Sequence, residues 1–176
     1  MLEIVVVDDG YDHEIFCGEQ RPENFIVAFD APIFDDGNHP KIAMASAADN
    51  DYYTIVLSNP DDSIPVGPIV HQMIGNVKGS DLKTGFQQAP ASSTEIIPFF
   101  RPNPPIPFLH FHYCYLVYKQ TNGLVDYSQA SAQTSSWQQS DFATNYNLEL
   151  LTSNYFVSKA TVWSAFLFFI KLIFGF

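Results

Sequence analysis

The side chains best suited to chemistry lie on one face of a single predicted strand. His110, His112 and Cys114 alternate along an aromatic and β-branched run, and alternate residues of a strand point to the same side of a sheet. Two imidazoles and a thiol are groups that zinc accepts as ligands. The sequence offers no evident fourth ligand, so we interpret these residues as interior side chains, or as side chains beneath a covering loop. We predict no metal site.

Other patterns point away from catalysis. The acidic pairs Asp35-Asp36 and Asp61-Asp62 lack the periodicity of ligands in a calcium loop, and we interpret them as solvated turn residues. The sequence contains no Ser-His-Asp order, nucleophile elbow or glycine-rich phosphate loop, the patterns that accompany nucleophilic catalysis and nucleotide hydrolysis. We predict a protein that is not an enzyme and that uses no cofactor.

The histidine-bearing strand follows a proline-rich segment, and together they occupy residues 99–120. Five prolines between Pro98 and Pro107 fix φ and remove backbone donors, so this segment is predicted to be an extended, ordered loop. From Phe108 onward the composition is that of a buried pleated strand. The alternation predicts two faces, one with Leu109, Phe111, Tyr113, Tyr115 and Val117, the other with His110, His112, Cys114 and Leu116.

Several shorter elements must position this strand. Apolar runs bounded by Pro, Gly, Asn and Asp predict further strands at 2–7, 24–29, 41–46, 52–57 and 69–77. Helices are predicted only late in the chain, at 142–148 with Ser140-Asp141 as the N-cap, and at 160–174. Residues 121–139 are predicted to be a connecting loop. This pattern is typical of a mainly β sandwich of two antiparallel-dominated sheets with a few peripheral helices.

Composition narrows the class of protein. The 176 residues are 47% apolar and 15% charged, which is typical of one globular domain with a sizeable core. The net charge of −11 disfavours nucleic-acid binding, which needs clustered Lys and Arg. Only Cys17 and Cys114 are present and the first residues lack a basic, signal-like segment, so we expect no disulfide framework and an intracellular location, cytoplasmic or mitochondrial.

The last residues are predicted to form a second unit, 161–176, after a domain at 1–160. The run from Val162 to Phe174 is apolar except for Ser164 and Lys171. A helix that is apolar on all sides is buried in protein or in lipid. At about 17 residues it would span roughly 25 Å, somewhat less than the ~30 Å of a bilayer core. We expect it to pack on its own domain or a protein partner, or to associate with a membrane.

Three motifs in the middle of the chain resemble the phosphatidylethanolamine-binding protein family. The family's Asp-Pro-Asp corner, its histidine before Asn-x-x-Gly, and its Gly-x-Pro-Pro loop leading to His-Arg-Tyr and Leu-Val-Tyr-x-Gln occur in the same order here. Their counterparts are Asn59-Pro60-Asp61, His71 with Asn76-Val77-Lys78-Gly79, and Asn103-Pro104-Pro105 with Phe111-His112-Tyr113 and Leu116-Val117-Tyr118-Lys119-Gln120. Residues 142–148 and 154–156 are similar to the family's late helix and the strand after it.

The resemblance implies a sandwich with a small anion pocket where the three motifs meet. The implied ligand-binding residues are Asn59, Asp61, His71, Asn103, Pro104, Pro105 and Tyr113. His71 and Tyr113 would donate hydrogen bonds to an anion, and Asp61 would orient a donor or hold the loop. Three positions differ from the family pattern, with Asn59 for an aspartate, Asn103 for a glycine and Phe111 for a histidine.

The resemblance also implies a class of function. Members bind phosphate-type headgroups or act as regulators and inhibitors, so we expect a non-enzymatic binding protein with a modified pocket for a phosphate-bearing headgroup or an acidic peptide. The alternative is a structural subunit of a larger assembly, in a membrane or in mitochondria, that keeps the fold and has lost ligand binding.

Overall fold

The computed structural model describes the backbone of residues 2–8, 11–15, 39–60, 68–100, 110–130 and 137–159, and the side chains within 39–60, 68–100, 112–130 and 137–155. These parts of the chain form eight strands and two short helices. The strands are β1 (Leu2–Asp8), β2 (Tyr11–Ile15), β3 (Lys41–Met44), β4 (Tyr52–Asn59), β5 (Ile69–Lys78), β6 (Thr94–Ile97), β7 (His110–Gln120) and β8 (Leu148–Lys159). The helices are α1 (Gly79–Thr84) and α2 (Gln139–Asn145).

The strands form two sheets in which all described neighbours are antiparallel. One sheet has the order β2-β1-β3 and the other β6-β5-β4-β7-β8. β4 is the middle strand of the larger sheet, and every residue from Tyr53 to Asn59 is buried. Both faces of this sheet are therefore covered.

The predicted alternation along β7 is confirmed where its side chains are described. Tyr113, Tyr115 and Val117 belong to one buried cluster, whereas Leu116 belongs to the cluster on the opposite face, with Cys114 packed against it. Aromatic and β-branched side chains suit such a strand because they pack well against cross-strand neighbours on both faces.

Each face of the larger sheet has its own core. The first core contains Ile42 and Met44 of β3, so it lies between the two sheets and makes the two-layered sandwich predicted from the sequence. The second contains Phe142 of α2 and Tyr127 of the loop after β7, which cover the other face. The mainly β fold with two short helices is thus confirmed.

Several predicted elements agree with the structure and others differ. The strands expected at 2–7, 41–46, 52–57 and 69–77 correspond to β1, β3, β4 and β5. Sequence analysis did not predict β2, β6 or α1, because the residues of these short elements show no clear periodic pattern. The strand expected at 24–29, the helix at 160–174 and the unit at 161–176 lie outside the described residues. Among the described residues, no helix is long and apolar enough to cross a membrane.

The predicted helix at 142–148 has different ends. α2 begins at Gln139 and its N-cap residue, Gln138, makes no capping hydrogen bond with its side chain. Ser140 and Asp141 lie inside the helix, where the Ser140 hydroxyl donates to the Asp141 carboxylate at 3.3 Å. At the other end Asn147 adopts a left-handed φ of 53°, and Leu148 pairs with Gln120 as the first residue of β8. Strand pairing therefore ends the helix early.

A buried polar network fastens the loop after β7 to β5. Gln120 Oε1 accepts from the Asn76 amide N–H at 2.8 Å and from the Thr54 hydroxyl at 3.1 Å. Gln120 Nε2 donates to Asn76 Oδ1 at 2.9 Å and to the Gly123 carbonyl at 2.8 Å. Asn76 also donates from Nδ2 to the Val125 carbonyl at 3.0 Å and accepts from the Val125 N–H at 2.9 Å.

The hydroxyl hydrogens in this network have only one arrangement. Because Thr54 donates to Gln120, Tyr127 must donate to Thr54 Oγ1, 2.5 Å away.

Asn76 has a left-handed φ of 57°, which asparagine tolerates better than most residues. A side chain at Gly79 would collide with the Ala48 carbonyl. The Asn-x-x-Gly and terminal Gln of the sequence motifs are therefore structural here.

We expect Thr54→Val to lower the free energy of unfolding by about 1–3 kcal/mol, because it leaves the buried Tyr127 hydroxyl without an acceptor. Tyr127→Phe should cost about 1 kcal/mol, and the double variant less than the sum of the two. Urea unfolding measures these changes, with Thr152→Val on β8 as the matched control. Additive effects, or a cost no larger than that of the control, would contradict this assignment of the network.

Candidate binding site at the end of beta strands 4, 5 and 7

Three strands bring polar side chains to one end of the larger sheet. Ser58 of β4 pairs with Cys114 of β7, so Asn59, the next residue, lies beside Tyr113 at that end. On its other side Asn59 pairs with Ile69 of β5. This pairing brings β4, β5 and β7 together at one mouth of the sandwich.

A β-bulge determines the position of His71. Leu57 pairs with Gln72 and Ser58 pairs with Val70, so His71 is an extra residue in β5 without a partner position in β4. Bulges turn side chains away from the regular alternation of a strand. The imidazole packs against the Tyr113 ring with ring centroids 5.2 Å apart in an edge-to-face arrangement.

The segment after β6 closes over His71. The Phe100 N–H donates to the His71 carbonyl at 2.9 Å, and His71 Nδ1 lies 3.2 Å from the Phe100 carbonyl oxygen. The two rings also contact each other, with centroids 4.4 Å apart. Two hydrogen bonds, one to the His71 carbonyl and one to the Phe100 carbonyl, and a ring contact therefore hold Phe100 to His71. Phe100 nevertheless stays 39% exposed.

The environment keeps His71 neutral. Burial lowers its pKa from 6.5 to about 4, and the hydrogen bond to the Phe100 carbonyl offsets part of this effect. Because a carbonyl oxygen only accepts, Nδ1 carries the hydrogen in the neutral ring and Nε2 carries the lone pair. In this tautomer Nε2 accepts hydrogen bonds, and it can donate only after the ring is protonated.

The mouth is buried except at its aromatic edge. Asn59 and Tyr113 are each 1% exposed and His71 is 4% exposed. Phe99, next to Phe100, packs its ring on His39 at 4.8 Å and lies against the core between the sheets. Phe99 thus anchors the segment to the core, whereas Phe100 lies beside His71 and faces solvent.

Comparison with solved structures identifies this architecture. The carboxypeptidase Y inhibitor, solved in complex with its cognate proteinase, matches with a TM-score of 0.62 at 19% identity, over 91% of this chain and 83% of that one. The phosphatidylethanolamine-binding protein of Plasmodium vivax matches with a TM-score of 0.65 at 10% identity, over 92% of this chain and 86% of that one. The chain has the fold of the phosphatidylethanolamine-binding proteins. No family model and no curated protein matches its sequence.

The sequence-predicted site residues fall into two groups. Within the phosphatidylethanolamine-binding fold, Asn59, His71 and Tyr113 come together at the mouth. Asp61, Asn103, Pro104 and Pro105 lie outside the described residues. Sequence reasoning missed Phe100, although its place in a Pro-Phe-Phe sequence at the start of the proline-rich loop was a usable signal.

The histidine and cysteine face of β7 does not extend the site. The His112 ring lies 5.9 Å from the Tyr155 ring, and Cys114 packs against the core on the face opposite Tyr113. The His110 side chain lies outside the described part. Among the described side chains, no group of three His, Cys, Asp or Glu residues is placed to hold a metal ion.

We expect His71 to make folding less favourable in acid. Its pKa is about 4 in the folded protein and 6.5 when unperturbed, so the unfolded chain binds the proton first as the pH falls from about 7 to 4. The contribution is absent above pH 7 and reaches at most about 3 kcal/mol of destabilisation near pH 4. Urea unfolding at pH 7, 5.5 and 4 measures it.

The comparison of variants isolates this contribution from that of the carboxylates. His71→Phe should lose less stability in acid than the wild type, whereas Tyr113→Phe should keep the wild-type pH dependence. Equal pH dependence in His71→Phe and the wild type would show that His71 is not buried as a neutral ring.

Proposed function

We propose that this chain is a non-enzymatic binding protein that takes a phosphate-bearing headgroup at the mouth formed by Asn59, His71 and Tyr113. The observation that carries the proposal is the meeting of these three buried side chains from three strands, with the exposed Phe100 ring directly on the histidine. A few polar side chains in aromatic surroundings are the usual lining of a small-ligand site.

The hydrogen bonding of His71 supports binding rather than catalysis. A catalytic histidine acting as a general base is usually oriented by a carboxylate that stabilises its protonated form. Here Nδ1 donates to the Phe100 carbonyl instead, and burial opposes protonation. This arrangement favours a fixed neutral ring that shapes a pocket.

The fold neighbours support the same class of function. One is an inhibitor bound to its proteinase and another is a phosphatidylethanolamine-binding protein. Neither name describes catalysis by the matched protein. We therefore propose that this chain also acts by binding, as a regulator or an inhibitor.

Titration with O-phosphoethanolamine at pH 7, followed through the NMR signals of His71 and Tyr113, tests the proposal. We expect both signals to shift at millimolar ligand, because both rings line the mouth. His71→Phe should abolish the shift at Tyr113, since it removes the buried polar group. His112→Phe, the same replacement on the opposite face of β7, is the matched control. The proposal fails if the wild type shows no shift.

A second candidate function is that of a structural subunit. It is favoured by residues 162–174, whose apolar composition suits a permanent contact with a protein partner or a membrane. In this case the sandwich would serve as a rigid block and the mouth would have lost its ligand.

Deletion of residues 161–176 tests the second candidate. We expect the truncated protein to keep the circular dichroism of the folded sandwich and to stop sedimenting with its assembly or membrane fraction, because the apolar contact is removed. Purification of the full chain as a soluble monomer would rule this candidate out.

A further inference from the structure

The hydrogen-bonding capacity and the rings of the mouth suit a particular chemical group. We propose that the mouth binds a primary ammonium group, which donates a hydrogen bond to His71 Nε2 and lies against the exposed ring of Phe100. This inference rests on the proposed function and specifies which end of the headgroup enters the site. An aminoalkyl phosphate would then enter with its amine first.

The first argument is the direction of hydrogen bonding at His71. Its Nδ1–H is used by the Phe100 carbonyl, 3.2 Å away, so the lone pair of the neutral ring is at Nε2. Nε2 makes no hydrogen bond within the described part of the chain. An acceptor left unused on a largely buried side chain favours a ligand that donates a hydrogen bond. The oxygens of a phosphate dianion only accept hydrogen bonds, so they would meet Nε2 favourably only if a proton were added.

The second argument is the exposed aromatic ring of Phe100 beside His71. The Phe100 ring centroid is 4.4 Å from that of His71, so a ligand that reaches the histidine also contacts this ring. A cation within about 6 Å of an aromatic face is attracted by the ring quadrupole. Phe100 is 39% exposed, so a ligand from solvent can reach this ring while it approaches the histidine.

The third argument is the charge distribution. The chain carries a net charge of −11, and such a field attracts cations. The described lysines of the site strands lie at their far ends, where Lys78 pairs with Tyr52 and Lys119 with Tyr53. Lys119 is also bonded to Asp51 at 2.6 Å. These lysines are therefore at the opposite end of β4 from Asn59.

Four ligands separate the two ends of the headgroup. Ethanolamine carries the amine alone, inorganic phosphate the anion alone, O-phosphoethanolamine both, and phosphocholine both with a quaternary amine that has no N–H. At pH 8.5, where phosphate is mostly the dianion and the amines remain protonated, we expect ethanolamine and O-phosphoethanolamine to shift the His71 Nε2 signal. Phosphocholine should shift the Phe100 ring signals without the Nε2 change, and phosphate should leave both in place.

Two variants test the contribution of the ring. Phe100→Leu keeps apolar volume and both backbone hydrogen bonds to His71 but removes the π face, so it should weaken O-phosphoethanolamine binding about two- to fivefold. Phe86→Leu, the same replacement at a half-buried phenylalanine that bridges to Ile42, is the matched control and should leave the affinity unchanged.

The outcomes distinguish this inference from the proposed function. If phosphate alone shifts Nε2 as strongly as O-phosphoethanolamine while ethanolamine has no effect, the ammonium site is wrong and the binding function stands. If O-phosphoethanolamine does not bind at all, the proposed function is wrong. If Nα-acetyl-lysine amide, which offers a primary ammonium without a phosphate, binds as tightly as O-phosphoethanolamine, the ammonium site is supported and a lysine side chain rather than a headgroup is its source.

Discussion

β4 pairs with β5 on one side and with β7 on the other, and this pairing positions both the buried hydrogen-bond network and the mouth. This strand is buried from Tyr53 to Asn59, so its polar groups have no access to bulk water and must find partners within the protein. The two ends of the strand meet this requirement in different ways. One end is closed by a complete hydrogen-bond network, and the other forms the mouth that contains His71 and Tyr113.

At the closed end, the hydrogen bonds leave little freedom. Gln120 and Asn76 use both polar atoms of their amides, and Thr54 bridges Gln120 to Tyr127. Satisfied buried networks of this kind fix one arrangement, because any other would leave a buried polar group unpaired. The network therefore fixes β5 and β7 relative to each other at this end of β4.

At the open end, the surroundings of His71 determine which groups the mouth can bind. His71 is displaced by a bulge, capped by Phe100 and kept neutral by desolvation. A neutral histidine among aromatic rings recognises different groups from a protonated one among lysines. Asn59 stands where the pattern that the chain resembles has an aspartate, and this replacement removes a negative charge from the mouth. The chain therefore shares its fold with the phosphatidylethanolamine-binding proteins, but the fold does not determine the chemistry of its ligand.

Sequence alone determined the strands with strong local signals and their approximate order. The alternation from Tyr113 to Val117 identified two buried faces, because side-chain direction in a strand follows directly from position along the chain. The resemblance of the motifs to the phosphatidylethanolamine-binding protein family selected Asn59, His71 and Tyr113, which the strand pairing brings to one end. The short β6 and α1 gave no pattern, and the ends of α2 depended on Leu148 joining β8. Only the tertiary structure decided the state of His71, because its bulge, its burial and its bond to Phe100 all come from strands and loops distant in sequence.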